Sequence, residues 1–317
     1  MKNYFNFNLT GQKLFPFWIM LLVFFMAPYI LLIYKMKEIT SGDPKSAFIL
    51  IPAFLVLFFI ATVLSYFIEK ISIEGIAYKN KSLVFEGKFG QYIGIVLLGG
   101  FLSVITLGIY SPWFIKSIQK FYIDNSTYDS NNPEFQGTGG NLFVILLLTL
   151  FLPMIIISGV LGIYTFINHT QLSGLYRVIY QIFIFIIMIP YIYYVYKWCI
   201  DIKFKNYTIQ WETEFWASCW KILVEVLLSV ITIGIYSPLA SLRLYKYFAE
   251  KTIATSDDGN KNFGYDIEPK SDFLFIWGQS LLALITLGIY YPWAFCKVRS
   301  RILSKTYSQD IDIITEE

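Results

Sequence analysis

Ile105-Thr106-Leu107-Gly108-Ile109-Tyr110-Ser111-Pro112-Trp113 returns as Ile231-Thr232-Ile233-Gly234-Ile235-Tyr236-Ser237-Pro238-Leu239, and again as Ile285-Thr286-Leu287-Gly288-Ile289-Tyr290-Tyr291-Pro292-Trp293. Each copy closes a long apolar run, and what those runs are decides the fold. Fainter endings, Leu161-Gly162-Ile163-Tyr164 and Leu31-Leu32-Ile33-Tyr34, close two more. Working outward, seven apolar stretches emerge, at 14–34, 47–68, 92–111, 141–166, 176–196, 218–236 and 273–290. A membrane-crossing helix needs about 20 such residues, so all seven are expected spans. Composition agrees, with 56% hydrophobic, 19% aromatic and 15% charged residues, against roughly 25% charged in a soluble domain. A β-barrel would instead read as alternating segments of about ten residues. The first run follows Lys2 and Lys13, is too long for a signal-peptide core and lacks an Ala-x-Ala site, so it reads as a retained span.

The closing tyrosines, 34, 110, 164, 236 and 290, recur at intervals of 126 to 130 residues. Such periodicity predicts duplicated three-span units: residues 1–134, then 135–262, then a partial third unit over 263–317 that ends in a polar tail. The expected fold is an all-α polytopic membrane protein of about seven transmembrane helices, with small β-hairpins in the extramembrane loops. Period-two alternation places those hairpins at Ile71-Ser72-Ile73-Glu74 through Glu86 and at Ile200-Asp201-Ile202-Lys203-Phe204 through Trp211. Phe135-Gln136-Gly137-Thr138-Gly139-Gly140-Asn141-Leu142-Phe143 leads into the fourth span, and Phe263-Gly264-Tyr265-Asp266 and Phe5 to Phe15 are similar leads.

The Phe135 to Phe143 lead and the three complete span endings resemble the YjgN-like family of bacterial inner-membrane proteins, and the resemblance covers most of the chain. Leu239 departs from it where the other copies carry Trp113 and Trp293, and the first span lacks the Gly and Pro. The resemblance implies the location, a multi-pass protein of the inner membrane, and the architecture. It implies no activity and no catalytic residues.

Pro112, Pro238 and Pro292 remove a backbone donor and disfavour helix in the residue before them, so each helix is expected to end or kink there. Gly108, Gly234 and Gly288, four residues earlier, allow close backbone approach. Tyr110, Tyr236, Tyr290 and the tryptophans suit a lipid–water interface. Lys116, Lys120, Arg243, Lys246, Lys297, Arg299 and Arg301 follow, as cations at headgroup level would. Aligning the phrases stacks Gly99, Glu225 and Gln279; then Ser103, Ser229 and Ala283; then Thr106, Thr232 and Thr286. A stripe of small and polar residues either packs helix on helix or lines a path. Glu225, with Lys221 one turn earlier, is an acid well inside a span, a candidate for coupling a proton or cation or else an i,i+4 pair with a snorkelling lysine.

Three crossings per unit would invert the second unit relative to the first, as in many secondary transporters. That motivates a transporter or channel for a small solute or ion; the alternative is a non-transporting scaffold or assembly partner that binds another protein through its hairpins. Counted over seven crossings, Lys and Arg split 12 to each side with Lys221 inside a span, so charge does not orient the chain; the N-terminus is assigned to the cytoplasm. The partners expected are the lipid bilayer, a homo-oligomer or another membrane protein, and an unnamed small solute. A net charge of +3 gives no case for nucleic acid. Cys199, Cys219 and Cys296 are isolated, so no disulfide or zinc site is expected, and His169 is a loop residue. No cofactor, metal or catalytic set is expected, since no Ser–His–Asp set, H-E-x-x-H or phosphate loop is present; Gly137-Thr138-Gly139-Gly140 is a turn.

Overall fold

The computed structural model describes residues 1–39, 47–168, 174–257 and 259–311; His169 lies outside them. Five pairs of antiparallel helices follow one another. Two are long. The first runs from α1 (Gly11–Met20) through a π-helical segment (Leu21–Met26) into α2 (Ala27–Ile39), and returns as α3 (Ala47–Glu74). The other runs from α6 (Gly139–Leu146) through a π-helical segment (Leu147–Phe151) into α7 (Leu152–Asn168), and returns as α8 (Gly174–Cys199). Three are short: α4 (Phe89–Ile105) with α5 (Ser111–Asp124), α9 (Phe215–Ile231) with α10 (Ser237–Glu250), and α11 (Pro269–Ile285) with α12 (Tyr291–Leu303). Among the described residues four helices are long and apolar enough to cross a membrane, Gly11–Tyr34, Pro52–Glu74, Gly139–Ile167 and Tyr180–Cys199. The expected spans at 92–111, 218–236 and 273–290 are 17-residue helices that stop at the repeated phrase.

The strands correct the all-α expectation. They are β1 (Lys2–Phe7), β2 (Ile76–Tyr78), β3 (Lys81–Ser82), β4 (Val84–Phe85), β5 (Ser126–Thr127), β6 (Glu134–Phe135), β7 (Ile202–Phe204), β8 (Tyr207–Trp211), β9 (Thr252–Thr255), β10 (Asn260–Tyr265) and β11 (Thr306–Ile311). Nine form one antiparallel sheet in the order β3-β2-β1-β11-β10-β9-β8-β7-β6. Its two edges are joined by the β4–β5 pair and by Tyr128, whose hydroxyl donates to the Tyr78 carbonyl (3.0 Å) while Asp129 pairs with Lys81 and Lys205. Strands too short to hold alone are thus stabilised by a circuit in which side chains bridge the two sheet edges. Turns with positive φ, Lys79-Asn80 (47°, 62°) and Asp129-Ser130 (51°, 59°), match the twist that tight hairpins require. The alternation around Ile71 to Glu74 belongs to the end of α3, not to a hairpin.

Each helix pair leaves the sheet and returns to it through the same joint. Phe7, Phe85, Phe135, Trp211 and Tyr265 are buried at the strand ends, and the N–H of the next residue donates to the chain leaving the returning helix: Asn8 to Gly75, Glu86 to Asn125, Gln136 to Asp201, Glu212 to Lys251 and Asp266 to Lys305, at 2.7 to 3.0 Å. Seven residues past each aromatic, Leu14, Tyr92, Leu142, Ser218 and Asp272 are buried too. The helices pack in chain order and α12 packs on α1, so the arrangement closes on itself. The closing contact is specific: Gly11 lies against the Trp293 ring, and Gly139 likewise against Trp113, where a Cβ would come within 2.5 Å of ring carbon. Leu239 replaces the tryptophan in the pair whose successor begins with Pro269 instead of Gly, which gives the departure at Leu239 a steric reason.

Four of the helix pairs begin and end on the nine-stranded sheet and α4–α5 begins and ends on the β4–β5 pair; the lines drawn at 134/135 and 262/263 fall within β6 and β10. One further expectation is corrected here. The prolines do not end the first helix. They stand in the first turn of the second, where a missing N–H costs nothing.

Candidate functional site

The three phrases fold alike. Gly108, Gly234 and Gly288 donate to the carbonyls of Ser103, Ser229 and Ala283 at 2.7 Å, closing each first helix with a six-residue Schellman bond. The residue before each glycine is left-handed: Leu107 at φ 51°, Ile233 at 51° and Leu287 at 49°. That conformation is unfavourable for a side chain, most of all a β-branched one. It throws an apolar side chain outward at the apex, where Leu107, Ile233 and Leu287 are 94%, 92% and 88% exposed. Thr106, Thr232 and Thr286 each accept from the N–H of Tyr110, Tyr236 and Tyr290 at 3.0 Å and donate back to the preceding turn. They cap the second helix. Ser103 and Ser229 bond the carbonyls of Gly99 and Glu225 within their own helices.

Beneath the apex of α9–α10 lies a charged cluster. Glu225 is 1% exposed; Lys221 Nζ donates to its Oε1 at 3.0 Å and Tyr236 OH to its Oε2 at 2.8 Å. Arg243 Nη1 donates to Tyr236 OH at 2.6 Å and stands 4.0 Å from the carboxylate. The structure therefore brings together Glu225, Lys221 and Tyr236, and adds Arg243 from the returning helix. In α11–α12 the same positions hold Gln279, Tyr290 and Lys297: Lys297 Nζ donates to Tyr290 OH at 2.8 Å, which donates to Gln279 Oε1 at 3.1 Å. In α4–α5 the equivalent positions are Gly99, Tyr110 and Ser117, and the Phe114 ring fills the space over Gly99. Gly99, Glu225 and Gln279 thus each face the second helix of their own pair.

One cluster was not legible as a site. Asp272, 1% exposed in the first turn of α11, accepts from Arg301 Nε and Lys305 Nζ at 2.6 Å each and from the Glu268 N–H at 2.8 Å. Burial pushes its carboxyl up, but the two cations and the backbone donor outweigh this and hold it below the usual carboxylate range. The available signal was an acid opening an apolar run 29 and 33 residues before two cations, a separation that no local pattern connects. Its counterpart in α9, Ser218, is also buried and bonds Thr213 and Tyr247. Among the described residues no group of three His, Cys, Asp or Glu could hold a metal ion.

Apolar crossing helices rooted in a sheet on one side define a multi-pass membrane protein. The chain belongs to the family described as bacterial protein of unknown function (DUF898), whose model matches residues 2–268. It is similar to inner membrane protein YjgN of Salmonella typhimurium, 37% identical over 79 residues that make up 25% of this chain and 20% of that one. Against inner membrane protein YjgN of Escherichia coli K12 it is 33% identical over 72 residues, 23% of this chain and 18% of that one. The match thus spans about a fifth of the length of these relatives. No solved structure matches. The chain is a multi-pass inner-membrane protein.

Proposed function

We propose that this protein is a one-sided membrane platform, made of five copies of a strand–helix–helix–strand unit, in which two units cross the bilayer and three dip into it. The carrying observation is the apex of the short pairs, where a strained backbone presents a bare leucine or isoleucine three times over. Such a side chain is at home only in lipid. Seventeen helical residues rise about 26 Å, less than the roughly 30 Å of a bilayer core, so the short pairs would act as wedges that thin the membrane beside the crossing pairs. Charge supports the sidedness: among the described residues only Lys35, Lys37 and Arg177, of the Lys and Arg, lie at the ends of the long pairs away from the sheet. By the positive-inside rule the sheet is cytoplasmic.

The platform is placed ahead of transport, because transport rested on inverted units. It also differs from a scaffold with free hairpins, because the hairpins are spent on pairing with each other. In this proposal Glu225 fastens two helices and does not couple an ion. Sided labelling of single cysteines in intact cells tests the reading, at Asn80, Ser130, Asn206 and Ser256 after Cys199, Cys219 and Cys296 are removed. All four should react only from the cytoplasm. Seven crossings would instead put Ser130 and Asn206 on the face opposite Asn80 and Ser256, and that result would overturn the platform.

A further inference from the structure

Comparison of the two polar seams leads to a binding site. In α9–α10 the chain of donors from Arg243 through Tyr236 ends on a carboxylate, shared with Lys221, so the cation has an acid inside its own helix pair. In α11–α12 the same chain, from Lys297 through Tyr290, ends on the neutral amide of Gln279. Among the described residues Lys297 has no carboxylate within 4.0 Å. The neighbouring charges do not supply one, since Asp272 and Glu268 are already engaged by Arg301 and Lys305. Two acids face three cations, and the surplus is Lys297.

That surplus charge is not on a flat surface. It lines a cleft of about 750 Å³ between α11–α12 and the start of α1, together with Thr10, Gln12, Gln279, Ser300 and Arg301. Hydroxyl and amide groups that can donate stand around an uncompensated ammonium, while Trp293 closes one wall. A phosphate-bearing anion is what such a set recognises, through one charge-assisted bond and several neutral donors. Lys297 also lies 5.5 Å from the Tyr290 ring centroid, which keeps its stem oriented toward the seam.

We infer that the cleft between α11–α12 and α1 binds a phosphate-bearing anion at Lys297, and that Gln279 stands where α9–α10 has Glu225 so that this cation stays available. The inference is independent of how deep the short pairs reach. The shared chemistry is the phosphate group, carried either by an anionic lipid headgroup or by a free solute. The test uses the full chain in uncharged detergent, with Lys297→Gln and Gln279→Glu. Gln279→Glu keeps the side chain's size and gives the lysine the carboxylate that α9–α10 carries at this position, without the second cation, since Phe275 stands where Lys221 does. Inorganic phosphate is titrated calorimetrically, and phosphatidylglycerol is competed against phosphatidylcholine with retained lipid read by native mass spectrometry. Phosphate binding supports the free anion, and preferential retention of phosphatidylglycerol without phosphate binding supports the headgroup. In either case both variants should weaken binding about tenfold or more while circular dichroism stays unchanged. Wild-type binding of neither probe, or folded variants that bind as wild type does, would overturn the site.

Discussion

The roots of the five helix pairs and the apices of the three short ones hold the chain by opposite means. At the roots, the buried aromatics at positions 7, 85, 135, 211 and 265 sit on a hydrogen-bonded circuit of strands, and each joint repeats the same backbone bond. At the apices of the short pairs the backbone is strained and the side chains have no protein neighbours to speak of. A fully buried aromatic is worth roughly 1.5–3 kcal/mol, so the roots carry the stability. The apices set how far a pair extends; each is held by one Schellman turn and one threonine bond, and two also by a tryptophan N–H of a neighbouring helix, Trp277 to the Ile235 carbonyl and Trp18 to the Gly288 carbonyl. Damage at a root should therefore spread round the circuit, and damage at an apex should stay local.

The largest effect is expected at the root of α11. Asp272→Asn leaves Arg301 and Lys305 facing a neutral amide in a buried joint, and should cost about 3 kcal/mol, seen as a lower thermal midpoint in detergent together with lost hydrogen-exchange protection in the neighbouring strands β10 and β11. Loss of protection in α11 alone would break the claim that the joints act together. The pH dependence has a definite sign. Because the folded carboxyl titrates below its ordinary value near about 3.9, its stabilisation is complete above that value and disappears as pH falls through the folded pKa. The wild-type acid limb should be steeper than that of Asp272→Asn; parallel limbs would remove Asp272 as the cause.

A middle-sized effect is expected where the arrangement closes. Gly11→Leu drives a side chain into Trp293 and should cost about 2 kcal/mol. Adding Trp293→Leu should restore much of it, since α9–α10 already uses Leu239 ahead of Pro269. An uncompensated double variant would mean that the two residues do not define the closing contact.

The sequence displayed the parts more clearly than their assembly. Lipid as the solvent, the long pairs and the three-fold phrase all follow from apolar run length and from local repetition. The sheet escaped because its strands are two to six residues long and pair with partners far along the chain, β1 with β11 at the extreme, so each looked like a separate hairpin. Orientation is hidden for a linked reason: the phrase looks like the end of a crossing, and whether it is counted so decides which side the cations after it are assigned to. Proline in a sequence is consistent with a helix stop and with a helix start, since its fixed φ also suits the first turn. At the polar seams, Glu225 with Lys221 was legible from i,i+4 spacing, and Tyr236 from the alignment. The roles of Arg243 and Lys297 depended on the second helix folding back, which spacing alone does not reveal.

The smallest effect separates a cap from a path. Thr232 lies in the polar stripe, and a residue lining a solute path would be sensitive to any change of shape or polarity. As a cap its hydroxyl accepts from the Tyr236 N–H at 3.0 Å and donates to the Leu228 carbonyl at 2.8 Å, and a serine hydroxyl can do both. Thr232→Val should therefore cost about 1 kcal/mol and raise hydrogen exchange at the apex of α9–α10 only, with the roots unchanged. Thr232→Ser should restore both. A loss of protection that reached β8 and β9 would show that apex and root are coupled. If valine and serine were equally harmful, the threonine methyl group would be the part that matters, and the apex would be held by packing, not by its cap.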